Sequence, residues 1–402
     1  MNKSSVLAKL IFSGGLNQAI SALVGLLRVP LVLGTFGVEA FASYTAAIGF
    51  WTLIAAVGES AKQRVRILEF SSSSDVSFRK IFFQSTAVAV IAGLALGSIF
   101  INFGQASSPD IGTFSVAVSC GILYVPMAMA MGRLEGRFKF GTANLSLAVG
   151  QIIGFFISVL ACNTHQIWLV GFSVLFPFFL PGIISFTLDT RVNRKNRLKT
   201  NEINSEGSQK DSRALLLVVL LCETLVYAID GALVLRYAGP TEAAIFAVVQ
   251  RIVSVFAILP IVIAPLAASI QHSETGSKLK SVVQRIQVVG GVLLFTSVMM
   301  GGGFFFSFLA KNKLELGFWT LLAACGSGLV LALTTTQIQS ATSSREVSLK
   351  ALLTPCLAIV NIGSTIILSP IIGATAAFLS TGVGQIFYFA IIKRQSRKNY
   401  EN

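Results

Sequence analysis

Apolar residues run through this chain in long blocks separated by short polar breaks, from one end to the other. Crossing the hydrocarbon core of a bilayer takes about 20 apolar residues in a helix, and these blocks have that length. Twelve can be read, near 6–33, 40–60, 80–104, 112–132, 143–162 and 167–188 in the first half, and 214–236, 242–271, 281–309, 316–340, 348–368 and 371–392 in the second. Several exceed the bilayer requirement and predict tilt, bends or extension beyond the membrane. Segments of about ten alternating residues, the mark of a membrane β-barrel, are absent. The pattern predicts an all-α polytopic membrane protein.

The second regularity is a repeat at a distance of 202 residues. Leu31-Val32-Leu33, Gly37, Ala42 and Tyr44 align with Leu233-Val234-Leu235, Gly239, Ala244 and Phe246. In the same frame Arg28 falls opposite Asp230, and Ser21 opposite Glu223. The polar stretch 189–213 divides the chain into a six-span half at 1–188 and another at 214–402, and has the composition of a solvated linker. Both halves start on the same side, so the repeat is parallel, about an axis along the membrane normal.

Composition agrees: 54% of residues are hydrophobic, 12% are charged, and the mean hydropathy is +0.77. The net charge of +14 changes meaning once it is distributed. Of the 31 Lys and Arg, three (Arg236, Lys311 and Lys313) fall in loops of one side, two (Arg28 and Arg251) fall inside spans, and the rest lie on the side of both termini. That asymmetry makes the termini cytoplasmic. The excess charge is therefore a topology signal, and no nucleic-acid partner is implied. The first span keeps Asn17 and Gln18 and lacks an A-x-A cleavage site, so it reads as retained.

Enzyme signatures are missing. There is no G-x-x-x-x-G-K-[ST] phosphate loop. His165 and His272 stand apart from carboxylates and read as polar surface residues. The cysteines (120, 162, 222, 325 and 356) are scattered packing residues with no C-x-x-C, so no metal and no cofactor is expected. Intramembrane prolines (30, 126, 177, 181, 260, 265 and 355) and Gly93-Leu-Ala-Leu-Gly97 predict bends and a close helix crossing.

Polar residues inside spans carry the chemistry, because a charge at mid-bilayer costs roughly 2.5–3.5 kcal/mol on insertion scales. Asn17, Ser21 and Arg28 share one face of the first span, and Glu223 and Asp230 one face of the seventh. Two readings stand. In one, Arg28 meets an anionic substrate while Asp230 or Glu223 takes up a coupling proton or cation. In the other, Arg28 and Asp230 form a buried ion pair, or Arg28 snorkels to the interface. Lys62, Arg64 and Arg66, following Glu59, read as a phosphate landing site or as positive-inside charge. Arg251, beside Gln250 and without a carboxylate four residues away, reads as a cavity-lining cation.

The passage Leu26 to Tyr44 (LLRVPLVLGTFGVEAFASY) resembles the first-to-second span junction of bacterial polysaccharide repeat-unit flippases of the O-antigen type. So does Ala228 to Gly239 (AIDGALVLRYAG), followed by Phe246. Those proteins sit in the multidrug/oligosaccharidyl-lipid/polysaccharide exporter superfamily, with multidrug and toxin extruders and peptidoglycan-precursor flippases. The resemblance extends along the whole chain. It implies a V-shaped pair of six-helix bundles around a cationic cavity, in the cytoplasmic (inner) membrane. The implied substrate is a polyprenyl-pyrophosphate-linked oligosaccharide whose tail stays among membrane lipids, with a polysaccharide polymerase or chain-length complex as partner. Arg28 and Arg251 map to the cavity-facing first and eighth spans. The chain departs from the pattern in lacking a charged residue early in the second span, before Glu59.

Two rivals remain. A cation-coupled small-molecule exporter of the same fold wants acidic groups in its first bundle, where the buried charge is instead Arg28. A membrane transferase acting on polyprenyl phosphate wants a large outer loop and a catalytic constellation, and neither is present.

Overall fold

The computed structural model of the chain describes residues 3–70, 75–103, 111–136, 140–192, 219, 221–257, 260, 276–340 and 344–401. The basic linker from 193 onward, Pro265 and His272 lie outside them.

Among the described residues the regular structure is helical throughout. The helices are α1 (Lys3–Phe70), α2 (Asp75–Phe103), α3 (Ile111–Gly136), α4 (Phe140–Asn163), α5 (Ile167–Val192), α6 (Asp230–Ala238), α7 (Pro240–Val253), α8 (Gly276–Ala310), α9 (Phe318–Ser340), α10 (Ser344–Ile372) and α11 (Ala374–Glu401). A helical stretch at 221–228 precedes α6, and a 3₁₀ turn, Ser254–Ala257, extends α7. Nine helices among the described residues are long and apolar enough to cross a membrane.

The first and second predicted spans form the single run α1, in which Gly37 alone leaves the helical conformation, at φ 85° and ψ −179°. No loop separates the spans because one residue turns the chain. Gly239 does the same between α6 and α7, at φ 91° and ψ 176°. Almost only glycine tolerates that region. Pro240 follows at the first turn of α7, where its missing N–H costs nothing.

The chain packs into two compact units: Met1–Val24 with Ala47–Thr224, and Gly25–Ala46 with Leu225–Asn402. The sequence places its boundary in the linker; the packing divides the chain instead between Thr224 and Leu225, inside the seventh predicted span, and gives Gly25–Ala46 of α1 to the C-terminal unit. In the first unit Ile54, Val57, Val65, Val125 and Met129 form a buried cluster. Small residues let backbones approach there. A Cβ on Gly121 would lie 2.8 Å from Ile54, and one on Gly93 would lie 3.0 Å from Val118, the close crossing the sequence predicts. In the second unit a Cβ on Gly384 would lie 2.6 Å from Leu357, which fixes α10 against α11. Outward apolar side chains such as Val289, Leu293, Met300 and Phe304 on α8 are exposed, as lipid-facing residues are.

Candidate functional site

Asp230 is the first residue of α6, which continues the preceding helical run through Ile229, whose torsions are helical and whose N–H donates to the Leu225 carbonyl at 3.3 Å. It is 2% exposed, and a carboxylate so deep must be satisfied locally. Asn361 and Thr365, one turn apart on α10, supply two donors to Oδ1, with Asn361 Nδ2 at 3.1 Å and Thr365 Oγ1 at 3.4 Å. Thr381 on α11 donates to Oδ2 at 3.0 Å and to Asn361 Oδ1 at 3.2 Å. Asn361 Nδ2 also lies 3.0 Å from the Val226 carbonyl, one turn before Asp230.

The three donors share one level because α10 and α11 form a tight hairpin. Gly373, at φ 58°, makes the turn, and Glu242 of α7 accepts the N–H of Ala374 at 2.8 Å. One turn beyond Thr381, Gln385 donates to the Tyr227 hydroxyl. Among the described residues no cation pairs with Asp230, so the buried Arg28–Asp230 ion pair is not what this structure forms. Hydroxyl and amide donors enclose the carboxylate instead.

Arg28 and Arg251 both belong to the second unit. Arg251, at the end of α7, crosses α1 at Gly25, where a Cβ would lie 3.8 Å from its Nη1. Gly25 and Arg28 are three residues apart and so share a face of α1. The fold thus brings both predicted cations to the same part of the first span, although 223 residues separate them in sequence.

Two further cations join them that the sequence reading counted only as loop charge. Lys313 Nζ lies 3.4 Å from the Leu33 carbonyl oxygen and 3.3 Å from that of Gly34. The Lys311 amine also lies against Gly34. Their approach is long-range and no local motif announces it.

Asn17, Ser21, Lys62, Arg64 and Glu223 belong to the first unit. Asn17 Oδ1 is buried and makes no hydrogen bond. Lys62 lies 2.9 Å from Glu135 of α3 and 3.8 Å from Glu59, and Arg66 lies 3.4 Å from Glu135. Two of the three basic residues read as a phosphate landing site are thus engaged by a carboxylate that the sequence reading did not single out. Glu59 in turn accepts the Tyr124 hydroxyl, and Tyr124 packs edge-on against Phe178 at 4.6 Å between ring centroids. Arg64 is half-buried on the same turn. Among the described residues no group of His, Cys, Asp and Glu has the makings of a metal site.

Solved structures place this architecture. The lipid II flippase MurJ in an inward closed conformation is 13% identical, with a TM-score of 0.70 over 96% of this chain and 87% of that one. A MATE in complex with MaL6 is 12% identical, with a TM-score of 0.63 over 99% and 97%. A MOP superfamily transporter from Pyrococcus furiosus, described as having a binding pocket of reverse polarity, is 12% identical, with a TM-score of 0.60 over 98% and 95%. No protein-family model and no curated protein matches the sequence. The chain therefore shares the fold of these MOP-superfamily structures, an all-α multi-pass architecture with nine helices among the described residues long and apolar enough to cross a membrane. Proteins of this fold named here are transporters and a flippase, not enzymes.

Proposed function

We propose that the protein is a flippase that moves a polyprenyl-pyrophosphate-linked oligosaccharide, an O-antigen or similar surface-polysaccharide repeat unit, across the cytoplasmic membrane by alternating access. Both termini are cytoplasmic in this reading, and a polysaccharide polymerase or chain-length complex receives the product. The observation that carries it is the pairing of Arg28 and Arg251 on one stretch of α1, while Asp230 is enclosed by its own donors. Guanidinium groups bind a diphosphate through paired, charge-assisted hydrogen bonds. Asn17, with an unmet buried acceptor, and Ser21 offer polar contacts to sugar hydroxyls on the same span. Lys62 and Arg64 act at the basic end of the second span, with Lys62 reaching phosphate only by leaving Glu135.

Asp230 and Glu223 are assigned to coupling. A carboxylate held by Asn361, Thr365 and Thr381 gains a proton or a monovalent cation when the two threonine hydroxyls turn from donating to accepting. The same cage favours a second reading, a cation-coupled small-molecule exporter of this fold.

The leaflet distribution of lipid-linked oligosaccharide separates the two. In cells lacking the protein, the intermediate should collect on the cytoplasmic leaflet and be relieved by wild type but not by Arg28→Ala or Arg251→Ala. A normal distribution with intact surface polysaccharide would sink the flippase and favour the exporter, whose activity should survive loss of either arginine.

A further inference from the structure

We propose that Lys311 and Lys313 form an outer-face subsite for the diphosphate of the cargo, and that the same lysines latch the turn of α1 until that anion takes them. This rests on the flippase reading. Lys311 and Lys313 are two of the three cations on the side that the positive-inside asymmetry makes external.

The end of α8 is built to aim them. Lys311 and Asn312 both hold left-handed φ, 50° and 57°, which is uncommon outside glycine. Backbone bonds from Asn312 to Ser307 at 3.2 Å and from Lys313 to Ala310 at 2.9 Å close the helix end. From that platform Lys313 reaches the Leu33 and Gly34 carbonyls, and Lys311 occupies the space a side chain at position 34 would need. A side chain at 34 would displace the flexible end of Lys311 from this place. Among the described residues no carboxylate pairs with either lysine.

Carbonyl dipoles hold an ammonium group through hydrogen bonds alone, whereas a diphosphate adds full ion–ion attraction to them. A diphosphate reaching this point therefore wins the lysines and frees the α1 turn. Cations also mark the route. Arg251 sits at Gly25, Arg28 follows, and the lysine pair sits at Gly34, about 13 Å along the helix at about 1.5 Å per residue. Each step hands the anion to the next cation outward.

Hydrogen–deuterium exchange of the reconstituted full chain tests this, read by mass spectrometry across residues 30–40. Inorganic pyrophosphate should speed exchange there about tenfold, equivalent to about 1.4 kcal/mol, while sulfate at equal ionic strength should not. K311A/K313A should exchange fast without pyrophosphate and respond to it no further, with Lys313→Ala alone intermediate. A double variant that exchanges like wild type, or a wild type indifferent to pyrophosphate, overturns the proposal. Failure of the flippase reading shows separately, as unchanged leaflet distribution in cells lacking the protein.

Discussion

The two span junctions at Gly37 and Gly239 share one backbone and carry opposite chemistry. Their torsion angles agree within a few degrees, at φ 85° and 91° and ψ −179° and 176°. Packing agrees as well: Val32 and Val234 are fully buried, as are Ala42 and Ala244, and Tyr44 and Phe246 are both nearly so. Nine residues before each glycine the likeness ends. Arg28 stands half-buried near Arg251's crossing of α1, whereas Asp230 is sealed among Asn361, Thr365 and Thr381. Repetition preserves what the backbone needs; the charges diverge because each answers to neighbours from elsewhere in the chain.

Exchanging the charges breaks the comparison hardest. R28D/D230R should abolish leaflet transfer and cut the membrane yield of folded protein severalfold, because an arginine at 230 would be a buried cation with no carboxylate beside it. A double variant with normal yield would mean that the cage does not select its occupant. Asp230→Ala alone comes next. It takes the carboxylate partner from Thr365 and one of two partners from each of Asn361 and Thr381, so a loss of about 1–3 kcal/mol is expected in thermal unfolding in detergent. Arg28→Gln should cost less stability than that while lowering transfer at least about tenfold, the mark of a group whose work lies in substrate handling.

The glycines sharpen the shared side. No atom lies within 4 Å of a Cβ built on either Gly37 or Gly239, so Gly→Ala there meets backbone strain alone. Each substitution should cost about 1–3 kcal/mol, and the two melting shifts should match closely. Markedly unequal shifts would show that the turns are not mechanically equivalent. The smallest effect is expected at the first unit's ion cluster. Glu135→Gln leaves Lys62 and Arg66 without their shared carboxylate and should cost about 1–2 kcal/mol, with transfer retained if Lys62 then serves phosphate more freely.

Much of the architecture was legible because membrane insertion imposes length and apolarity on every span. The 202-residue offset was legible because a Gly-only backbone region leaves its glycine in both copies. The Asp230 cage was not. Asn361, Thr365 and Thr381 look like ordinary polar residues within apolar spans, and only the α10–α11 hairpin brings them to one carboxylate. Glu135 escaped notice for a similar reason, since its partners lie 73 and 69 residues away in sequence. Lys311 and Lys313 read as loop charge until α8's left-handed end turned them onto α1.

Sequence alone determined that the chain is helical, membrane-spanning and repeated, and that Arg28, Arg251, Asp230 and Glu223 are charges needing a reason to sit inside spans. Hydrophobic length and the cost of burying charge act locally and leave their mark on composition and spacing. Tertiary structure decided which charges meet. It gave Asp230 neutral donors instead of Arg28, gave Lys62 to Glu135, and packed the middle of α1 with the C-terminal half. Those choices depend on hydrogen bonds a few ångströms long between residues far apart in sequence, and spacing along one chain does not encode them.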